Sequence, residues 1–199
     1  LGTQMVAKGL DFPKVSLVGV LGIDQMLFAQ GFRACETVFS LITQVVGRAG
    51  RSDLPGRAII QTMDSQNTVL QLAAKQDYKT FYQQEIAFRK FSLYPPFCSI
   101  CMVLFTGEKE AAVAQAAAGF GRILAKEAEK APHIPLRVLG PAPLHIAMVK
   151  NQYRYKLTIK CREDNSFRQL MEQVLQLYAD HGLSAKATVS LDLHSDADL

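Results

Sequence analysis

The sequence predicts an α/β protein in which a parallel sheet is followed by a smaller α+β domain. Strand-like and helix-like segments alternate before residue 65, a pattern typical of a βαβ unit. After residue 95 the segments follow the order β-α-β-β-α-β, which is typical of a ferredoxin-like sandwich. With 199 residues, 49% of them hydrophobic, the chain is long enough for one large or two small domains.

Residues 1–64 are expected to contain two strands and a helix. The apolar, β-branched run from Val15 to Leu21 predicts a buried strand. Apolar residues recur on one helical face between Glu36 and Val46. The segment RAIIQTM, residues 57–63, predicts the second strand, so the order favours a parallel pair.

Residues 65–95 are expected to form a helical linker. Ser65 or Asp64 is the candidate N-cap of its first helix. The aromatic stripe of the second helix, from Tyr78 to Phe88, has the helical spacing of a packing face. The segment YPPF, residues 94–97, ends that helix because proline has no amide hydrogen to donate, and it predicts a domain boundary.

Residues 96–199 are expected to form the α+β domain. Its predicted elements are a strand at 97–105, a helix from Glu108 to Lys130, a strand at 136–140, a hairpin of 144–150 and 153–161 that turns through Asn151 and Gln152, a helix from Asp164 to Asp180, and a closing strand at 185–193.

Composition sets limits on partners and compartment. The net charge of +4 permits a nucleic-acid partner without requiring one. Four scattered cysteines do not predict a disulfide framework, so a cytoplasmic location is expected. No apolar run approaches the length of a membrane span, and no membrane partner is expected. The start at Leu1 indicates a piece of a longer protein.

Two arginines, Arg48 and Arg51, each follow a glycine at the end of an apolar helix, in the segment ITQVVGRAGR. Gly47 and Gly50 allow close backbone approach to a ligand, and arginine presents a planar fork of donors suited to phosphate. Gln44 lies one helical turn before Arg48. The pattern favours an arginine-finger role in phosphoryl transfer. The alternative is a helix end whose cations stabilise the dipole by less than about 1 kcal/mol.

A second segment, GTQMVAKGLDFPKV, precedes the first predicted strand. Thr3 and Gln4 are expected in a turn, and Lys8, Gly9 and Asp11 in a glycine bend before the strand. Such a bend at a strand offers amides and a hydroxyl to phosphates and a carboxylate to a ribose.

The two segments together resemble motifs V and VI of superfamily 2 helicases. Motif VI, Q-x-x-G-R-x-G-R, is matched by Gln44, Gly47, Arg48, Gly50 and Arg51. In finer detail, the segments GTQMVAKGLDFPKVSLVGVL, FRACE, GRAIIQT, DYKTFYQQE, YPPF and VLGPAP are similar to the primosomal protein N′ family of bacterial replication-restart helicases.

The resemblance implies that residues 1–64 are the C-terminal part of a second RecA-like helicase lobe. It implies an ATP-dependent 3′-to-5′ DNA helicase that recognises stalled or abandoned forks and restarts replication by primosome assembly. Its implied partners are forked and single-stranded DNA, primosome proteins, single-stranded DNA-binding protein and the replicative helicase loader. Its implied cofactor is ATP with Mg²⁺, and the family's zinc is expected upstream of Leu1.

The resemblance also implies roles for individual residues. These are Arg51 as the finger on the γ-phosphate, Arg48 and Gln44 as nucleotide-positioning groups, Gly9, Asp11, Gly47 and Gly50 lining the ATP cleft, and Thr3, Gln4 and Lys8 meeting DNA. The chain has no P-loop and no Walker B pair, so it is expected to hydrolyse no ATP alone.

A basic segment, KNQYRYKLTIKCR, lies in the last region. Alternation places Arg154, Lys156, Lys160 and Arg162 on one strand face, with tyrosine and aliphatic side chains on the other. Two interpretations stay open: a solvated face opposite a core face, or a strip that binds the DNA backbone. The alternative for the whole chain is a non-catalytic module that binds nucleic acid or a partner.

The pair Cys98 and Cys101 has C-x-x-C spacing, but a structural zinc site usually needs a second such pair. The two cysteines are therefore interpreted as small buried residues, and no metal site is predicted.

Overall fold

The structure, a computed structural model, describes residues 16–29, 31–47, 57–193 and 195. The chain divides into two compact units, and the division falls between Arg89 and Lys90. Among the described residues, no helix combines the length and the apolar character needed to cross a membrane.

The first unit begins with the predicted strand–helix–strand order. Strands β1 (Leu17–Val20) and β2 (Arg57–Ile60) pair in parallel, as predicted. Between them lie a short helix that the sequence did not predict, α1 (Ile23–Leu27), and the predicted helix, α2 (Ala34–Val46). Assignment of this unit to a RecA-like lobe stays a prediction.

Two further helices follow β2, α3 (Thr68–Ala74) and α4 (Tyr78–Ser92). The N-cap of α3 is Asn67, whose side-chain oxygen accepts from two backbone amides of the first turn. The prediction of Ser65 or Asp64 was wrong by two to three residues, because any of these side chains can cap and only the backbone decides which does.

The core of the first unit contains side chains from all four helices in the described part of that unit. Its buried side chains are Ile23, Val38, Phe39, Ile42, Leu70, Ala73 and Phe81. The rings of Phe39 and Phe81 stack with centroids 4.1 Å apart. Residues 65–95 are therefore not a separate helical linker, since α3 and the start of α4 bury their apolar side chains in this core.

The second unit has the predicted β-α-β-β-α-β order. Its elements are β3 (Ser99–Gly107), α5 (Glu110–Lys130), β4 (Leu136–Val149), β5 (Gln152–Cys161), α6 (Asn165–Asp180) and β6 (Thr188–Asp192). The strands form one sheet in the order β4-β5-β3-β6, with every neighbouring pair antiparallel.

Helices α5 and α6 cover one face of this sheet. The core between them contains side chains from both helices and from the inward positions of β3 and β5. Phe105, Phe120 and Tyr178 form its aromatic centre, with the Phe120 ring 5.5 Å from Phe105 and 5.6 Å from Tyr178. This packing leaves the other sheet face to the alternate side chains of the same strands.

Strand β4 is continuous over 14 residues, whereas the sequence predicted two strands. Gly140, with φ of +95°, lies at a shift in register with β5 instead of ending the strand. The hairpin turn is formed by Lys150 and Asn151, with φ of 50° and 60°. The predicted turn through Asn151 and Gln152 was thus displaced by one residue, since Gln152 already pairs with Val149.

Candidate nucleic-acid interface

Of the predicted nucleotide-site residues, Gln44 and Gly47 lie in the described part of the chain. Gln44 is exposed on α2, where its Nε2 donates to Ser40 Oγ at 3.1 Å. Gly47 is the C-cap of α2 with φ of −67°, a conformation open to any residue. Thr3, Gln4, Lys8, Gly9, Asp11, Arg48, Gly50 and Arg51 lie outside the described residues.

The second unit contains a long basic stretch without acidic residues. Between Glu129 and Glu163 the sequence has no aspartate or glutamate. The same stretch carries the cations Lys130, Arg137, Lys150, Arg154, Lys156, Lys160 and Arg162. It includes all of β4 and β5, so the whole hairpin is positively charged. The basic segment predicted from the sequence covered only the β5 side of this stretch.

The predicted alternation along β5 is confirmed for Arg154, Lys156 and Lys160, but it was wrong for Arg162, because the strand ends at Cys161. Tyr155, Leu157 and Ile159 face the core under the helices. The intervening cations share the opposite sheet face, which we call the outer face, where Arg154 pairs across the ladder with Thr106 of β3. The outer-face positions of the two central strands are Ile100, Met102, Leu104, Thr106, Arg154, Lys156, Thr158 and Lys160. None of these side chains is aromatic, and Ile100, Thr158 and Lys160 are buried, so the part of the face around Arg154 and Lys156 is the part that suits phosphate contacts.

Lys160 lies on the outer face but is 8% exposed. Its Nζ donates to the backbone oxygen of Ser92 at 2.7 Å and lies 3.7 Å from the ring centroid of Tyr94. Burial lowers the pKa of the Lys160 ammonium below its usual value, and the nearby charge of Arg137 lowers it further. Because its ammonium already interacts with Ser92 and Tyr94 of the same unit, Lys160 is not included in the proposed DNA interface.

Three cations of the stretch carry no ion pair with any described residue: Arg137, Lys150 and Arg154. Arg137 and Lys150 are exposed, and Arg154 is half-buried. By contrast, Lys130 pairs with buried Glu127 at 2.6 Å, and Arg162 lies 3.9 Å from Asp164. The charges of these three residues are not compensated by a described acidic side chain, which favours a polyanion as ligand.

The cysteines occupy structural positions. Cys98 Sγ donates to the backbone oxygen of Leu93 at 3.0 Å, while Cys101 and Cys161 are buried. Burial raises the pKa of both buried thiols to about 12, so they are protonated at neutral pH. The described residues contain no group of three or more His, Cys, Asp or Glu side chains placed to hold a metal ion.

Comparison with known proteins follows the division seen in the structure. The sequence model of one protein family, the primosomal protein N C-terminal domain, matches residues 92–196. This range covers nearly all of the second unit.

Three curated relatives match almost the full chain. The replication restart protein PriA of Bacillus subtilis is 39% identical over 194 residues, which is 98% of this chain and 24% of that protein. The replication restart protein PriA of Chlamydia muridarum is 35% identical over 97% of this chain and 25% of that protein. That of Treponema pallidum is 34% identical over 100% of this chain and 28% of that protein. The chain thus spans about a quarter of the length of these relatives.

Proposed function

The chain belongs to the PriA family of replication restart proteins, and from this membership we propose that it is the C-terminal part of an ATP-dependent 3′-to-5′ DNA helicase. In this proposal the whole protein acts in the cytoplasm on stalled or abandoned replication forks. It meets forked and single-stranded DNA, primosome proteins, single-stranded DNA-binding protein and the replicative helicase loader there.

The second unit is proposed to bind the DNA backbone. The observation that carries this role is the acid-free stretch of residues 130–162, in which Arg137, Lys150 and Arg154 form no ion pair with a described residue. Each phosphate that such a cation neutralises releases condensed counterions, so binding becomes strongly dependent on salt.

The first unit is proposed to supply one wall of the nucleotide site. Arg51 is assigned to the γ-phosphate, with Arg48 and Gln44 positioning the nucleotide. Gly9, Asp11, Gly47 and Gly50 are proposed to line the cleft, and Thr3, Gln4 and Lys8 to contact DNA. The P-loop lysine and the Mg²⁺ ligands that phosphoryl transfer requires have no counterpart in this sequence, so the ATPase is proposed for the full-length protein only.

The DNA-binding role is tested by fluorescence anisotropy with labelled forked DNA over 50 to 200 mM salt. The double variant Lys150→Gln/Arg154→Gln is expected to bind more weakly and to lower the slope of log K against log salt by about 0.9 for each duplex phosphate that is no longer neutralised. The matched control is Arg122→Gln/Lys126→Gln, which removes the same charge from exposed positions on α5. Equal effects of the two pairs would reject a defined interface on the β4–β5 hairpin.

The nucleotide role is tested by DNA-stimulated ATP hydrolysis of the full-length protein. Loss of an arginine finger costs on the order of 10³-fold in turnover, and Arg51→Ala is expected to show a loss of that size while DNA binding is retained. Arg57→Ala, an exposed arginine of β2, is the control. Near-normal turnover with Arg51→Ala would instead favour a non-catalytic binding module.

A further inference from the structure

The free end of the β4–β5 hairpin exposes large apolar side chains. Ile146 is 62% exposed, Met148 50% and Val149 39%. None of the three belongs to the core of the second unit or packs against it. We call residues 144–151 the hairpin tip. Met148 and Val149 are consecutive in β4 and project to opposite faces, so exposed apolar side chains lie on both sides of the hairpin end and offer a contact surface to a ligand placed against that end.

The hairpin tip has a defined backbone conformation. Pro143 pairs with Tyr155 and Met148 with Tyr153, so residues 144–147 of β4 lie opposite the single residue Arg154 of β5. The extra residues bulge out of the ladder, and bulges redirect side chains. The two-residue turn that follows has positive φ at both positions, the conformation that closes a tight hairpin.

Two cations lie close to this end of the hairpin along the chain. Lys150 is the first residue of the turn, and Arg154 lies opposite the bulge. Lys150 adopts a positive φ of 50°, which is uncommon for a residue with a long side chain. No acidic residue lies within the hairpin. A hairpin end that carries exposed apolar side chains together with two cations is complementary to a ligand that offers phosphates beside exposed apolar faces.

We propose that the hairpin tip binds the branch point of forked DNA, with Ile146 and Met148 placed against the base pair where the strands separate. This rests on the proposed function, since it presumes that the hairpin binds DNA. A continuous duplex presents mainly phosphates and sugars, and the cations of the hairpin can bind these without help from apolar side chains. Base faces become accessible where the strands separate, and apolar side chains such as Ile and Met can act there as wedges that partly unstack a base step, as they do in proteins that kink duplex DNA. The cations therefore set affinity, and the apolar side chains set preference for a fork.

The test compares binding of the 199-residue chain to a fork, a blunt duplex and a single strand of matched length. The variant Ile146→Ser/Met148→Ser is expected to bind duplex and single strand as the wild type does. Its preference for the fork over the duplex is expected to fall about tenfold, because two half-exposed side chains no longer bury apolar surface against the bases. The control is Met63→Ser, which alters a side chain that is 89% exposed in the first unit.

A second measurement reports on the bases directly. With 2-aminopurine in the last base pair of the fork, wild-type binding is expected to raise the fluorescence through unstacking, and Ile146→Ser/Met148→Ser is expected to abolish most of that rise. An unchanged fork preference and an unchanged rise in the variant would overturn the proposal.

Two other outcomes separate the possible failures. If Lys150→Gln/Arg154→Gln leaves all DNA binding intact, the proposed DNA-binding function fails and this inference fails with it. If those cations matter but the serine variant keeps its fork preference, the inference alone fails. If the tip binds vesicles of phosphatidylglycerol and phosphatidylcholine through Ile146 and Met148 while fork preference is unchanged, the apolar group serves a lipid surface and the proposal is overturned.

Discussion

The ammonium of Lys160 lies over the ring of Tyr94, 3.7 Å from its centroid, and donates to the backbone oxygen of Ser92 at 2.7 Å. Ser92 is the last residue of α4, so the cation also lies at the C-terminal end of a helix dipole, where positive charge is favourable. A strand lysine is thereby joined to a segment more than sixty residues earlier in the chain.

This arrangement predicts that Lys160→Met destabilises the second unit without changing how it binds DNA. Removal of a buried charged hydrogen bond and a cation–π interaction is expected to lower the free energy of unfolding by about 2 kcal/mol. Urea denaturation of the 199-residue chain measures this change. The slope of DNA affinity against salt is expected to stay that of the wild type.

Arg154→Met is the matched control on the same strand face. It is expected to leave the free energy of unfolding nearly unchanged and to weaken DNA binding, because Arg154 has no ion pair with a described residue. A Lys160→Met variant that lost salt dependence as Arg154→Met does would place Lys160 in the interface after all.

The local patterns of the sequence predicted most of the elements. A continuous apolar run located β3, alternation placed the side chains of β5, the helical recurrence of apolar residues located α2, and a long alanine-rich segment located α5. Helix α1 was missed because its five residues are too short to show a period. Strand β4 was divided in two because Gly140 and Pro141 are typical of a strand end, while here they lie at a register shift.

The sequence predicted which β5 side chains share a face, but it did not predict the contacts that they make with distant parts of the chain. Alternation correctly placed Arg154, Lys156 and Lys160 on one strand face. It gave no sign that Lys160 would be buried, because Ser92 and Tyr94 reach it from a distant part of the sequence. The exposed apolar hairpin tip was also missed, since the run of Ile146, Met148 and Val149 has the pattern of an ordinary strand.

The buried thiols predict a loss of stability at alkaline pH. Burial raises the pKa of Cys101 and Cys161 to about 12 from an ordinary value of 9.0. Above pH 9 the unfolded chain releases these protons while the folded chain retains them, so stability present below pH 9 is lost as the pH rises toward 12. The loss is roughly 1 kcal/mol per pH unit for each thiol.

Urea denaturation between pH 8 and pH 11 measures this effect. The double variant Cys101→Ala/Cys161→Ala is expected to be less stable at every pH but to show a flatter decline. Val103→Ala, which removes a buried side chain without a titrating group, should decline as the wild type does. A double variant with the wild-type slope would show that other groups cause the alkaline loss.

Removing the hydroxyl of Tyr178 by substitution with phenylalanine is expected to stabilise the protein. Tyr178 is 1% exposed, and its hydroxyl has no hydrogen-bond partner among the described residues. Leaving a buried hydroxyl unsatisfied costs about 1 kcal/mol or more, so Tyr178→Phe is expected to raise the free energy of unfolding by about that amount. Phe105→Ala, at the neighbouring ring, is expected to lower it by about 3 kcal/mol or more. A large destabilisation by Tyr178→Phe would mean that the hydroxyl has a partner.

Replacing Gly140 by alanine, which adds a methyl group to the hairpin, is expected to cost more stability than the same replacement at Gly182. The φ of +95° at Gly140 disfavours any other residue, and an added Cβ would lie 3.0 Å from the backbone oxygen of Lys156. Gly140→Ala is therefore expected to lower the free energy of unfolding by about 3 kcal/mol. Gly182 also has a positive φ, +68°, but no atom lies within 4 Å of its added Cβ. Gly182→Ala should cost only about 1 kcal/mol, because the backbone conformation alone opposes it. Thermal denaturation of the two variants compares these costs, and equal melting temperatures would show that β4 shifts to accommodate the methyl group.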